Sequence, residues 1–217
     1  MQWHVKDTHS WIIKSIIKLR ETANASEYWA KSIQEQKYKT NAMYAEIHGS
    51  NTDMRWKAMF YKNFARPRAC FITWLALWER LPTKDRLAKI NIITDGVCVF
   101  CGEQDTMMHL FFQCRYTAQI WCCILNWLGY RRQAGNWRQE SFWLSMETKK
   151  KGWRRVLLRM AATEAIYHIW QTRNALCFEL IPPTRDLVPQ IQSAVALRAQ
   201  SAKCVKSHIH LGTFEIR

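Results

Sequence analysis

The sequence predicts a mostly α-helical chain interrupted by one compact Cys/His module. Three observations predict it. Apolar residues recur at spacings of three and four along most of the chain, the period of a helix with one buried face. Pro67, Pro82 and Pro182-Pro183 fall at the ends of those periodic stretches, where a residue with fixed φ and no N–H starts or stops a helix. Between residues 98 and 114, four cysteine and histidine side chains break the periodic pattern.

Taken in order, residues 11–21, WIIKSIIKLRE, put Ile12, Ile16 and Leu19 on one stripe with Lys14, Lys18 and Arg20 elsewhere, a short amphipathic helix. Residues 24–40 fit either a helix or a small β-hairpin through Tyr28, Trp29, Ile33 and Tyr38. Asn41 is placed to cap a helix through Met43, Tyr44 and Ile47, closed by Gly49. After the polar break GSNTD, the segment MRWKAMFYKN reads as helix, with Trp56, Met59 and Phe60 apolar. Pro67 opens PRACFITWLALWERL, whose predicted buried face is Phe71, Trp74, Leu75 and Trp78. Pro82 stops it, and Thr83 is the predicted cap of TKDRLAKI, with Asp85 near the positive helix end.

Beyond the Cys/His module, residues 116–128 carry Ile120, Trp121, Ile124, Leu125 and Leu128 at helical intervals. The polar, basic stretch 130–136 is the candidate boundary between a domain spanning 9–129 and a C-terminal helical segment spanning 137–203. Residues 137–146 and 152–179 form the next helical block; in the latter Trp153, Leu157, Met160, Glu164, Tyr167 and Trp170 recur at threes and fours, only Glu164 being polar. Residues 187–203 read as a further amphipathic helix whose start Pro189 confines. The tail after Cys204 alternates and fits a short strand or a frayed end.

The Cys/His module is CVFCGEQDTMMHLFFQC, a C-x2-C-x7-H-x4-C pattern of Cys98, Cys101, His109 and Cys114. Thiolate sulfur and imidazole nitrogen are the donors that a borderline-soft ion such as Zn²⁺ prefers, and four of them close a tetrahedral site. Gly102 follows the second cysteine, where a turn commonly needs positive φ. With no further ligand type nearby, the site reads as structural. The alternatives are ordinary buried cysteines, or a redox dithiol, whose expected βαβ context is absent. Cys70, Cys122, Cys123, Cys177 and Cys204 show no metal spacing and read as small buried hydrophobes. The predicted architecture is thus a helical domain with an inserted CCHC zinc knuckle.

Charge bounds the partners. The chain carries 32 Lys+Arg against 17 Asp+Glu, a net charge of +15, which favours a polyanion, most often nucleic acid. No apolar run approaches membrane-spanning length, and residues 1–11 lack the apolar core of a signal peptide. Eight cysteines then imply a reducing, intracellular setting. Candidate nucleic-acid contacts are Arg66, Arg68, Lys84, Arg86 and Lys89 before the module and Arg115 after it; a second basic cluster is Lys149, Lys150, Lys151, Arg154 and Arg155. Phe100, between the two cysteines, is a candidate for stacking on an unpaired base, against the alternative that it packs beneath the metal. Leu110, Phe111 and Phe112 are expected to dock the module on the helices. Asp85, Asp95, Glu103 and Asp105 read as capping and surface charges, with no constellation that suits two-metal catalysis, and the aromatic-x-D-D signature of a polymerase palm is absent.

These residues together resemble the reverse-transcriptase zinc-binding domain that follows the polymerase in plant non-LTR (LINE-type) retrotransposons. SWIIKSIIKLR is similar to the family's leading tryptophan-containing helix, and YKTNAMYAEI to its F-x-V-K-S-A-Y segment. RWKAMFYKNFARPRACFITWLALWERLPTKDRLAKI resembles the W…P-x-K…F-x-W…L-x-T-x-x-x-L block, and CVFCGEQDTMMHLFFQC resembles C-x-x-C…E-x-x-x-H-L-F-x-x-C. IWQTRNALCF is similar to a trailing W-x-x-R-N…F element. Arg68 stands where relatives usually have lysine and Asp105 where they usually have glutamate, each keeping its charge; the glycine usual in the first hairpin is missing from AKSIQEQKYK. The resemblance implies a non-catalytic module that helps hold template RNA or target DNA beside a reverse-transcriptase domain, met here as a stand-alone relic or a fragment. The competing expectation is a protein-interaction module pinned by zinc, its basic surface incidental.

Overall fold

The computed structural model describes residues 31, 34, 56–92, 95–179 and 186–208. The chain divides into a unit of residues 1–54 and a unit of residues 55–217, and the architecture below is that of the second. The helix expected at 11–21, the helix capped by Asn41 and the tail beyond 208 lie outside the described residues. Of 24–40 only Lys31 and Gln34 are described, and both are helical.

Eight α-helices make up the described part of the second unit: α1 Lys57–Phe60, α2 Pro67–Leu77, α3 Lys84–Lys89, α4 Met107–Leu110, α5 Arg115–Trp127, α6 Trp137–Glu147, α7 Trp153–Asn174 and α8 Leu187–Ala199. A π-helical turn, Ala175–Glu179, extends α7. No described residue belongs to a strand; the nearest feature is one antiparallel bridge, Val97 with Gln104. No described helix is long and apolar enough to cross a membrane.

The core is organised on α7. Residues Val156 to Ile166 of this helix are buried without interruption, followed by Ile169, Trp170 and Arg173. A helix covered on every face carries no clean amphipathic stripe. It packs against α2 and α8, and less extensively against α5, while α6 meets α1 and α4. One hydrophobic cluster joins Met59, Leu81, Phe111, Trp121, Leu125, Trp137, Leu157, Ile166, Ile191 and Val195. The stretch 130–136 therefore connects two helices that share a core. Its far end is a capping box, in which Gln139 N–H donates to Asn136 Oδ1 and Asn136 N–H donates to Gln139 Oε1, both at 2.9 Å.

Three local expectations are corrected. The helix read into 54–63 is a single turn, because Lys62 adopts a left-handed φ of 53°, and the Asn63 amide then donates back to Met59 carbonyl and across to Thr163 Oγ1. On α2 the aromatic face is not the buried one. Ala69, Thr73 and Ala76 are buried, whereas Phe71 and Trp78 are exposed; α7 presents a crowded surface, and only small residues let the two backbones close on each other. Thr83 occupies the N-cap position of α3, but its hydroxyl donates to Asp85 Oδ1 at 2.5 Å. The first-turn Lys84 N–H instead donates to Asp105 Oδ2 at 3.0 Å, a cap supplied from the Cys/His module. Pro189 sits inside the first turn of α8, where its missing N–H costs nothing, and Asp186 caps that helix through Val188 N–H at 3.0 Å.

Candidate metal centre

The site is built from a turn, a short helix and the start of a long one. Cys98 N–H donates to the Glu103 carbonyl at 2.6 Å, Gly102 N–H to the Cys98 carbonyl at 2.9 Å and Asp105 N–H to the Gly96 carbonyl at 2.9 Å. These bonds fold residues 96–105 into a tight loop that brings the Cys98 and Cys101 sulfurs to one side. Gly102 has φ +84° and open space around its Cα, so the requirement there is conformational and not steric. Thr106 then caps α4, its hydroxyl oxygen accepting from His109 N–H at 3.2 Å. The His109 carbonyl accepts from both Gln113 and Cys114 N–H, at 3.1 and 2.8 Å. That turn sets Cys114 at the N-cap of α5.

The three Sγ atoms and the His109 ring nitrogen all lie within 4.8 Å of one another. Donors at metal–sulfur distance on a tetrahedron are about 3.8 Å apart, so the cluster has the dimensions of a single-ion site. Cys101 Sγ lies 3.0 Å from His109 Nε2. The other ring nitrogen, Nδ1, faces Glu103 Oε2 at 3.3 Å. A carboxylate on the far nitrogen fixes the tautomer that leaves Nε2 as the donor to an ion. Cys98, His109 and Cys114 are buried and Cys101 is half-buried. Cys98 S–H hydrogen-bonds to the Cys114 sulfur, and the amides of Thr117 and Tyr116 add to it, holding the Cys114 thiol far below its usual range, at about 4. The same shared proton, with burial, drives Cys98 upward. Thiols forced to share protons at one point are the donor set that a thiophilic cation relieves. Four protein donors fill a tetrahedral shell and leave no position for a substrate.

Three anchors tie the loop to the helices. Leu110, Phe111 and Phe112 are buried, with Phe111 and Phe112 against Trp137 at ring distances of 5.3 and 5.5 Å and Phe112 against Trp121 at 5.4 Å. Lys84 reaches Asp95 and donates to the Val97 carbonyl at 2.8 Å; the ammonium hydrogen bond, then the Val97 amide, hold the Asp95 carboxyl below its ordinary range. Asp105 forms an ion pair with Arg173 at the end of α7, both side chains 1% exposed. Asp105 is thus no surface charge, a correction to the sequence reading. Its partner lies far along the chain, and the one signal that touched it was the W-x-x-R-N element, whose arginine is Arg173. Glu103 stays at the surface as read, 72% exposed, and its contact with His109 adds a role that an acid between the second cysteine and the histidine could have hinted at.

The candidate nucleic-acid residues divide. Arg68 and Lys89 are exposed on α2 and α3, and Arg115 is exposed at the first turn of α5. Arg86 is exposed too, its guanidinium donating to the Glu79 carbonyl, and it lines with Lys89, Asp85 and Met107 a cleft of about 330 Å³. Arg66 is half-buried and committed to Glu164, with Nη2–Oε2 at 2.5 Å and Nε–Oε2 at 3.0 Å. Lys84 is buried in the anchor already described. Phe100 stacks on Tyr116, ring centroids 5.1 Å apart and 19° from parallel, and is half-buried against the hydrophobic core. In the second basic cluster Lys150 and Arg155 both pair with Glu147, at 2.5 and 2.8 Å, while Lys149, Lys151 and Arg154 are exposed.

Residues 38–121 match the family model described as zinc-binding in reverse transcriptase. Comparisons with curated proteins and with solved structures return no match. The matched span contains all four donors and ends within α5; what it matches is the zinc-binding domain and not a polymerase domain.

Proposed function

From a chain that carries the reverse-transcriptase zinc-binding domain at residues 38–121, we propose a non-catalytic nucleic-acid-binding module of retroelement origin, pinned by one Zn²⁺ on Cys98, Cys101, His109 and Cys114. Three thiolates and one imidazole select zinc over harder divalent ions. The ion supplies folding energy to a loop too short to bury a core of its own. The module works beside a reverse-transcriptase domain, holding RNA or DNA through phosphate contacts that carry no sequence choice. It has no enzymatic step: the metal shell is closed, and the acids in and beside the loop, Asp95, Glu103 and Asp105, face Lys84, His109 and Arg173 respectively.

The observation that carries this reading is that Arg68, Lys89 and Arg115 stand exposed and outside every ion pair of the described residues, in a chain that also brings four metal-ligating side chains to one point. Fluorescence anisotropy with labelled single-stranded RNA and DNA across a salt series tests it. Three phosphate contacts predict that log K falls with log salt at a slope of about −2. The triple variant Arg68→Glu, Lys89→Glu, Arg115→Glu removes most of that slope. Binding that is absent at low salt, or indifferent to salt, refutes the reading and favours a zinc-pinned protein-interaction module.

A further inference from the structure

Helix α2 has a second face that the core does not use. Phe71, Trp74 and Trp78, three, four and seven residues apart, share the side opposite Ala69, Thr73 and Ala76. Phe71 is 57% and Trp78 41% exposed, and Trp74 is half-buried. None of the three packs against the hydrophobic core. They form a continuous ladder instead: Phe71 is stacked on Trp74 at 6.0 Å and 22°, Trp74 meets Trp78 edge-on at 6.4 Å, and Trp78 meets Trp56 at 5.6 Å. Trp56 rests on the core and so fixes the ladder at one end.

Cations rim this ladder. The Arg80 guanidinium lies over the Trp78 ring at 5.4 Å. Arg68 stands at the other end, on a hollow of about 450 Å³ lined by Phe71, Ile72, Tyr167 and Gln171. Glu79 is the one acid between Lys62 and Lys84. An aromatic stripe alone would suit an apolar partner. Flat rings between two arginines, in a chain of net charge +15, suit a polyanion whose own rings are free to stack.

We propose that this face of α2 is the platform on which the module binds single-stranded nucleic acid, bases stacking on Phe71 and Trp74 and phosphates meeting Arg68 and Arg80. This rests on the nucleic-acid reading above and assigns its binding surface. An eleven-residue helix spans about 16 Å, enough for a few nucleotides. A duplex keeps its bases in its own stack and cannot use the rings, so the platform discriminates single strands by shape and not by sequence.

The test uses the full zinc-loaded chain and four labelled probes of one length: single-stranded RNA, single-stranded DNA, the DNA duplex and an abasic DNA strand. Wild type is expected to bind either base-bearing single strand at least about tenfold more tightly than the abasic strand. Phe71→Ala with Trp74→Ala weakens single-strand binding by about 5- to 150-fold per lost stack and leaves duplex and abasic binding within about twofold. Trp74→Phe alone restores most of the single-strand loss relative to Trp74→Ala, while duplex binding is the same in both, which a merely structural role would not give. Zinc content stays at the wild-type value, and unchanged duplex binding shows that the fold survives the loss of the half-buried Trp74 ring. The platform is overturned if the double variant binds single strands as wild type does, or if wild type binds the abasic strand equally well, even where salt-dependent binding persists. Loss of self-association or of protein capture in the double variant, with nucleic-acid binding intact, overturns it as well. Absence of all nucleic-acid binding in wild type refutes the broader reading first.

Discussion

Replacing Arg173 by methionine perturbs the fold at the point where the Cys/His loop is tied to α7. Asp105 and Arg173 are each 1% exposed. Asp105 Oδ2 accepts from Arg173 Nη2 and from Lys84 N–H at 3.0 Å, while Oδ1 takes no hydrogen bond. Methionine keeps the apolar bulk beneath Trp170 but leaves the carboxylate with a single backbone donor in a dry site. Breaking a buried pair from one side costs about 3–5 kcal/mol, most of it the penalty of the abandoned charge. With a urea slope near 2 kcal/mol/M, the unfolding midpoint of the full zinc-loaded chain drops by about 1.5–2.5 M. Asp105→Asn in the same background removes the stranded charge and still offers an acceptor to Lys84 N–H. The double variant is therefore expected to be more stable than additivity predicts by about 2 kcal/mol. Zinc stoichiometry stays at the wild-type value, since all four donors remain. A midpoint shift below about 0.5 M, or strict additivity, would show that the two side chains are not paired in a buried site.

Cys98→Ser and His109→Ala should each release the metal while Cys177→Ser retains it, read as about one zinc per chain in the wild type; equal zinc in all three variants removes the assignment. His168 is half-buried beside Arg66, whose Nη2 donates to its Nε2 at 2.7 Å, and burial first, then the guanidinium, lower its affinity for a proton. The unfolded chain therefore binds that proton more readily, so the His168 contribution is intact above about pH 6.5 and is lost below it at up to about 1.4 kcal/mol per unit. The difference between wild type and His168→Gln in urea melts from pH 8 to 5 reads that limb, and a pH-independent difference refutes it. Gly102→Ala forces an L-residue to φ +84° and should cost about 1 kcal/mol, Gly102→Asn less; equal stability of the three proteins would mean that the turn is formed differently.

What was legible in the sequence was what local chemistry decides. Pro67 at the first turn of α2, Asn136 and Gln139 around the start of α6, and the apolar spacing of α5 each announce an element from neighbours alone. The convergence of Cys98, Cys101, His109 and Cys114 was legible for the same reason: C-x2-C and the Thr106-capped turn bring them together within one short segment. What was not legible depended on partners far along the chain. Arg66 was read as a phosphate contact, yet its partner Glu164 lies on α7. Thr83 was read as a cap, yet Asp105 performs that task from the zinc loop. Aromatic residues on α2 were taken as the buried face because size usually decides burial, but α7 is so closely wrapped that only Ala69, Thr73 and Ala76 fit against it.

The buried acids also change how the charge of this protein is to be read. Asp105, Glu140, Glu147 and Glu164 are buried, and each holds at least one arginine: Arg173, Arg132, Arg155 and Arg66 respectively. Glu140 also accepts from Trp121 Nε1 at 2.9 Å and from Gly135 N–H at 2.7 Å, so it is held by the core and not by solvent. Pairing of this kind withdraws acids from the surface as fast as it withdraws cations. The excess of +15 stays, spread over an exterior with fewer acids to offset it. Self-repulsion among those cations works against the compact state, and a bound polyanion relieves it while releasing its own counterions. The interior pairs that specify the fold are thus the same pairs that leave the surface basic, and stability of the free protein and affinity for a polyanion pull the surface charge in opposite directions.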